Sequence, residues 1–318
     1  MKEKFTTLVL GAGSSKAFGF PVGSELRKSL LELTELHRRP LCVSAGLMDP
    51  PGELHEFINA FRRSQMESID AFLARRTPYI DIGKRAIATI LLEIENESRL
   101  YQSDPEDCWH RYLFNRISVE QWENINFESL AVITFNYDRS FEMFLLAALQ
   151  ASYGVSLEEA ANALRQIKII HVYGRLGSPV PGDDDYIPYG VNIDPSRIEL
   201  AAQGIQVIPE GRDNCSSLLD ARALLVRANR IVFLGFGFDQ TNLDRIKAAE
   251  TCKKHIVNPT RSRTIVATCS GMTPAEMRRS YTAIGQNFTS QRDSQSEAPP
   301  DFYPTNCVTA LRNSLILD

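Results

Sequence analysis

Four stretches of the chain are apolar on successive residues and stop at polar or glycine-rich turns: Thr6–Leu10, Leu130–Phe135, Ile167–Val172 and Arg230–Phe236. They are rich in β-branched and aromatic residues and do not alternate with polar ones. That is the pattern of strands covered on both faces, as in a parallel sheet. Thr264–Thr268 is a fifth strand candidate. Helical spacing fills the intervals and is clearest in Ser68–Leu100, where Ile69, Phe72, Leu73, Ile80, Ile87, Leu91 and Ile94 recur on one face and Pro78 divides the run into two helices. Strands separated by helices predict an α/β fold with an open, Rossmann-like parallel sheet.

The first two strands lie more than a hundred residues apart, far more than one crossover helix needs. Residues 35–127 are therefore read as a mostly helical insertion covering one side of the sheet. The Rossmann-like core takes 1–34 and 128–288 of a single domain spanning 1–318. The polar, proline-ended stretch Thr289–Pro300 opens a tail over 289–318, either flexible or an arm to a partner. Met48–Gly52 and residues 181–197 are loops by their proline, glycine and aspartate content.

Composition narrows the classes. The chain has 318 residues, 43% hydrophobic and 23% charged, with a formal net charge of −4. It can bury its own core, and no excess of Lys and Arg points to a nucleic-acid partner. No apolar run reaches the length of a membrane span, and the apolar stretch Leu8–Leu10 stops at Gly11, too early for a signal peptide. The six cysteines are scattered with no Cys-x-x-Cys, which suggests neither a zinc module nor a disulfide framework. A cytoplasmic location is expected.

Candidate chemistry sits at the strand ends. Gly11-Ala12-Gly13-Ser14-Ser15 follows the first strand and precedes a helix; such a turn lets backbone N–H groups approach a phosphate, with the serine hydroxyls as further donors. Lys16 stands where the hydride-transfer fingerprint wants a third glycine, and no Gly-Lys-Ser/Thr is present, so a dehydrogenase and a P-loop NTPase are both disfavoured. The second strand delivers Thr134, Asn136 and Asp138. The Asn136 amide can hold a ribose hydroxyl or a water, and Asp138 either joins it or caps the next helix. The third brings His171 close to its end, a core histidine or a general base. The fourth ends Gly235-Phe236-Gly237-Phe238-Asp239, where Asp239 or the nearby Asn242 takes a ribose hydroxyl or caps the next helix.

In this order the motifs resemble the sirtuin superfamily, with Gly19-Phe20-Pro21 and Ser68–Leu73 adding to the likeness. The chain lacks the paired cysteines of the deacylases' zinc module, and the closer likeness is to sirtuin-like NAD+ hydrolases of bacterial anti-phage defence. The resemblance implies NAD+ as substrate, no metal, cleavage to nicotinamide and ADP-ribose, and NAD+ depletion in the infected cell (abortive infection). It implies Asn136 and His171 as catalytic residues. Gly11, Ala12, Gly13, Ser14, Ser15, Thr134, Asp138, Gly235, Phe236, Gly237 and Asp239 would then form the binding site. The family's His-Gly pair is here His171-Val172-Tyr173-Gly174, so strict register puts Tyr173 at the catalytic position; alternation along a strand predicts that His171 faces the same cleft. The resemblance implies as partners a HerA-type DNA-translocase ATPase or a short Argonaute, besides a homo-oligomer. The alternatives are a non-catalytic NAD+ or ADP-ribose sensor and a scaffold with a vestigial cleft.

Overall fold

The computed structural model describes residues 4–102, 108–190, 192–207, 215–253, 263–286, 299 and 301–317. The predicted strands form β1 (Thr6–Leu10), β2 (Leu130–Thr134), β3 (Lys168–His171), β4 (Arg230–Leu234) and β5 (Thr264–Thr268), joined by a short β6 (Phe302–Tyr303). All neighbours pair in parallel, in the order β3-β2-β1-β4-β5-β6. The protein is thus an α/β fold of Rossmann-like type. Phe135, Val172 and Phe236, expected inside strands, lie just beyond them, where the chain leaves the sheet.

Successive strand residues feed two separate apolar layers. Val9, Ile133 and Phe233 pack on one face with Leu30, Phe57, Phe61, Ile87 and Leu91. Leu8, Leu10, Val132 and Leu234 pack on the other with Trp109, Leu113, Leu145, Leu149 and Leu311. This two-sided burial explains why the middle residues of these strands are apolar in succession.

The insertion is helical, with helices Glu53–Ser64, Ile69–Arg75 and Ile80–Ile94 on the first face. Thr77–Tyr79, a single 3-10 turn carrying Pro78, separates the last two. Contrary to the expectation of one-sided cover, the helix Trp109–Ile117 crosses to the opposite layer. Residues 301–317 also depart from expectation. They are not a tail: β6 pairs with β5, and the helix Cys307–Ser314 buries Cys307, Val308 and Leu311. The predicted arm Thr289–Pro300 falls almost wholly outside the described residues. The loop over 181–197 ends early, because Asp194 accepts from Ser196 N and Arg197 N (both 3.0 Å) and starts a helix at Pro195.

One buried ion pair ties the insertion to the strand ends. Arg139 and Glu95 are fully enclosed, and the guanidinium donates Nε and Nη2 to the two carboxylate oxygens at 2.8 Å each. Its remaining N–H groups go to the carbonyls of Ser178, Ile187 and Pro188. Every donor is used, which lets a charge persist out of water. Among the described residues no helix is long and apolar enough to cross a membrane.

Candidate functional site

In an open parallel sheet the connections after two adjacent strands part to opposite faces at one point, leaving a crevice at their carboxyl ends. Here that point lies between β1 and β4. Their turns are bolted together: Gly11 N donates to Leu234 O and Gly13 N to Gly235 O, both at 3.0 Å. A Cβ on Gly11 would stand 2.6 Å from Gly235 O, and one on Gly235 (φ 58°) only 2.0 Å from Ser14 N. The glycines are therefore demanded by the contact of one backbone with another.

A cleft of about 1350 Å³ opens over these turns. The 3-10 turn Ala12–Phe18 and the start of the helix Gly23–Glu32 form one wall, and the insertion helix Ile69–Arg75 forms another. Trp109 braces the 3-10 turn by donating Nε1 to Ser14 O at 2.8 Å. Of the predicted residues, Gly11, Ala12, Gly13, Ser14, Asn136, Gly235, Phe236, Gly237 and Asp239 all line this cleft.

The phosphate cradle needs correcting in detail. The N–H groups of Gly11, Gly13 and Ser14 are already taken by Leu234, Gly235 and Gly11 carbonyls. Ser14 Oγ donates to Gly11 O at 2.8 Å, and Ser15 Oγ turns inward to accept from Asn136. The hydroxyls expected to meet a ligand are committed inside the protein. Lys16, Arg27, Arg75 and Arg245 are the cationic residues that line the cleft.

Asn136 is buried, and its Nδ2 donates towards Gly11 O (3.0 Å), Ser15 Oγ (3.1 Å) and Ser14 Oγ (3.3 Å). With those acceptors around the nitrogen, the amide orientation is decided by the network. Its Oδ1 is enclosed and has no partner among the described residues. Such an acceptor costs free energy unless something donates to it. Asn136 borders both the cleft and a chamber of about 10 Å³ behind it, roughly the size of one water.

Ser15, Thr134 and Asp138 border that rear chamber. Thr134 Oγ1 accepts from Asn136 N at 3.1 Å. Asp138 accepts from Ser140 N at 3.1 Å and from its hydroxyl, just ahead of the helix Ser140–Tyr153, whose N-cap is Arg139; burial pushes its carboxyl above the usual range. Asp239 does cap its helix, accepting from Asn242 N at 3.2 Å, while still lining the cleft.

His171 is not in the cleft. Its Nε2 lies 2.8 Å from Glu142 Oε1 and its Nδ1 lies 3.2 Å from Asn136 O. Burial alone would raise Glu142, but the charge and hydrogen bond of His171, helped by Arg175, hold it below its usual value. The imidazole supports Asn136 from behind, so the expectation of a general base facing the cleft is corrected. Alternation fails because β3 ends at His171: Gly174 N turns back to His171 O, and Gly174 adopts φ 72°.

Tyr173 occupies the cleft instead. Its hydroxyl donates to Asn242 Oδ1 at 2.5 Å and accepts from Arg245. Nearby, Tyr137 donates its hydroxyl to Asp70 of the insertion helix. Burial raises Asp70, against the Tyr137 hydrogen bond and the charge of Arg245. Burial also pushes both phenols above their usual range. Asp70, Tyr137 and Arg245 were not among the predicted site residues, whereas Asn242 was an expected partner for a ribose hydroxyl and meets Tyr173 instead. Two signals pointed their way: Asp70 lies within Ser68–Leu73, and Tyr173 holds the strict register of the His-Gly motif.

Compared with known proteins, the chain matches no family model and no curated protein.

Proposed function

We propose that the cleft binds NAD+ and that the protein hydrolyses the bond between nicotinamide and ribose. The observation that carries this reading is Asn136: a rigidly held carboxamide at the parting of β1 and β4, with an enclosed acceptor that no described residue satisfies. The cleft exceeds the roughly 300–1,000 Å³ typical of pockets for drug-sized ligands, which suits a dinucleotide.

In this reaction the C1′–N bond breaks and its electron pair leaves with nicotinamide, which departs neutral. Water forms the new C1′–O bond and gives up a proton to solvent, so NAD+ and water yield nicotinamide, ADP-ribose and H+. A neutral leaving group needs little acid assistance. The protein's task is to orient the sugar and a water and to stabilise the cationic transition state. Asn136 would orient the ribose or the water through Oδ1, and Gly237, which has open space around it, would admit the adenosine side. His171 would hold Asn136 in place and take no proton from substrate.

That last point favours a second reading, in which the protein binds NAD+ or ADP-ribose as a sensor without cleaving it. Nicotinamide release from NAD+ and calorimetric titration with ADP-ribose, run on one preparation, separate the two. Release with binding supports hydrolysis, binding without release supports the sensor, and neither leaves both readings wrong. Service in anti-phage defence, assembly as a homo-oligomer and pairing with a HerA-type ATPase or a short Argonaute rest on the motif resemblance alone.

A further inference from the structure

With His171 turned away, the neutral Asn136 amide leaves the cleft without an obvious group to oppose a developing positive charge. Three carboxylates line it: Glu67, Asp70 and Asp239. Glu67 and Asp239 are exposed, and Asp239 also caps its helix through Asn242 N, whereas Asp70 is half-buried and accepts from Tyr137. Asp70 is differently placed. Its helix is capped by Ser68, whose hydroxyl accepts from Ala71 N at 3.3 Å, so Asp70 is not needed as the cap. Ile69, Phe72 and Leu73 anchor the helix in the core, and the opposite face, with Asp70, Ala71 and Ala74, borders the cleft.

We propose that Asp70 is the carboxylate that faces the nicotinamide ribose, accepting a ribose hydroxyl and opposing the positive charge that develops at C1′. The inference rests on the NAD+ hydrolysis reading and deepens it: the insertion contributes a reacting residue where the sheet does not. Asp70 acts in its ionised form and takes no proton in the step; the bonds broken and formed are those given above, and the proton leaves with solvent. A fixed carboxylate in a water-poor site acts on such a charge far more strongly than it would in water. The charged and titratable groups facing it are Tyr137, Tyr173, Arg245 and Asp239, with Glu67 and Arg75 on its own segment.

The test uses the full chain with NAD+ as substrate. Asp70→Asn keeps the size and a hydrogen-bond acceptor but removes the charge. It is expected to lower kcat by about 100-fold, with KM and ADP-ribose affinity within about threefold and the melting temperature retained. Tyr137→Phe keeps the carboxylate and removes a hydrogen bond that favours its ionised form. The acidic limb of its kcat/KM profile is therefore expected to move to higher pH. Wild-type release of nicotinamide with an unimpaired Asp70→Asn variant, or an acidic limb unmoved in Tyr137→Phe, overturns the role of Asp70 and leaves the hydrolase reading standing. No release by the wild type overturns both.

Discussion

Asn136 and His171 lie on opposite sides of one short piece of backbone. The carboxamide of Asn136 reaches across to the β1 turn, while its carbonyl oxygen meets the imidazole of His171. Asn136→Ala would remove the bonds that order this turn and the free acceptor together. Its expected effect is a fall in kcat for NAD+ cleavage of about 100-fold or more, checked by nicotinamide release with circular dichroism as the control for folding. Asn136 was legible in the sequence because an apolar strand ends by delivering a polar side chain to the crevice. The position of His171 was not, because alternation stops where the strand stops. The inward turn of Ser14 and Ser15 depended on a donor, the Asn136 amide, 122 and 121 residues away in sequence, and was equally hidden.

A second residue-level consequence concerns His110. It is buried beside Phe18, Trp109 and Phe141, and burial lowers its pKa from 6.5 to about 3. Between those values the unfolded chain holds a proton that the folded one lacks, so stability is full above 6.5 and falls as pH drops towards 3. This group contributes a slope of about 1.4 kcal/mol per pH unit in that window. His110→Phe should flatten the acid side of the urea-denaturation profile by about that amount. A variant profile parallel to the wild type contradicts the assignment.

At the scale of elements, the strands were readable because burial on both faces writes an unbroken apolar run. β6 was not, since two residues carry no pattern, and its pairing with β5 brings a segment expected to be a tail into the fold. The helices of the insertion were readable from spacing, but the layer each one covers was not. What holds the insertion to the strand ends is the Arg139–Glu95 pair. Arg139→Met strands a carboxylate whose burial already raises its pKa against the pull of Arg139. The variant should lose about 3–5 kcal/mol in chemical denaturation. A loss below about 1 kcal/mol would mean that the clamp carries little of the stability.

For the whole molecule, sheet order places the cleft. The order β3-β2-β1-β4-β5-β6 parts the connections beside β1, and the glycines at 11, 13 and 235 let the two turns meet there. The insertion then closes one side with the helix Ile69–Arg75. The central claim is that a dinucleotide occupies this space, whichever of the two functional readings holds. Gly237 offers the most direct test, because a Cβ added there meets no atom within 4 Å and the backbone is not left-handed. Gly237→Trp should therefore fill the cleft while the fold survives. The deciding measurement is calorimetric titration of ADP-ribose into wild-type protein and this variant. The account predicts saturable binding to the wild type and at least a tenfold loss of affinity in Gly237→Trp, about 1.4 kcal/mol; no binding to the wild type, or equal affinity in a folded variant, would contradict it.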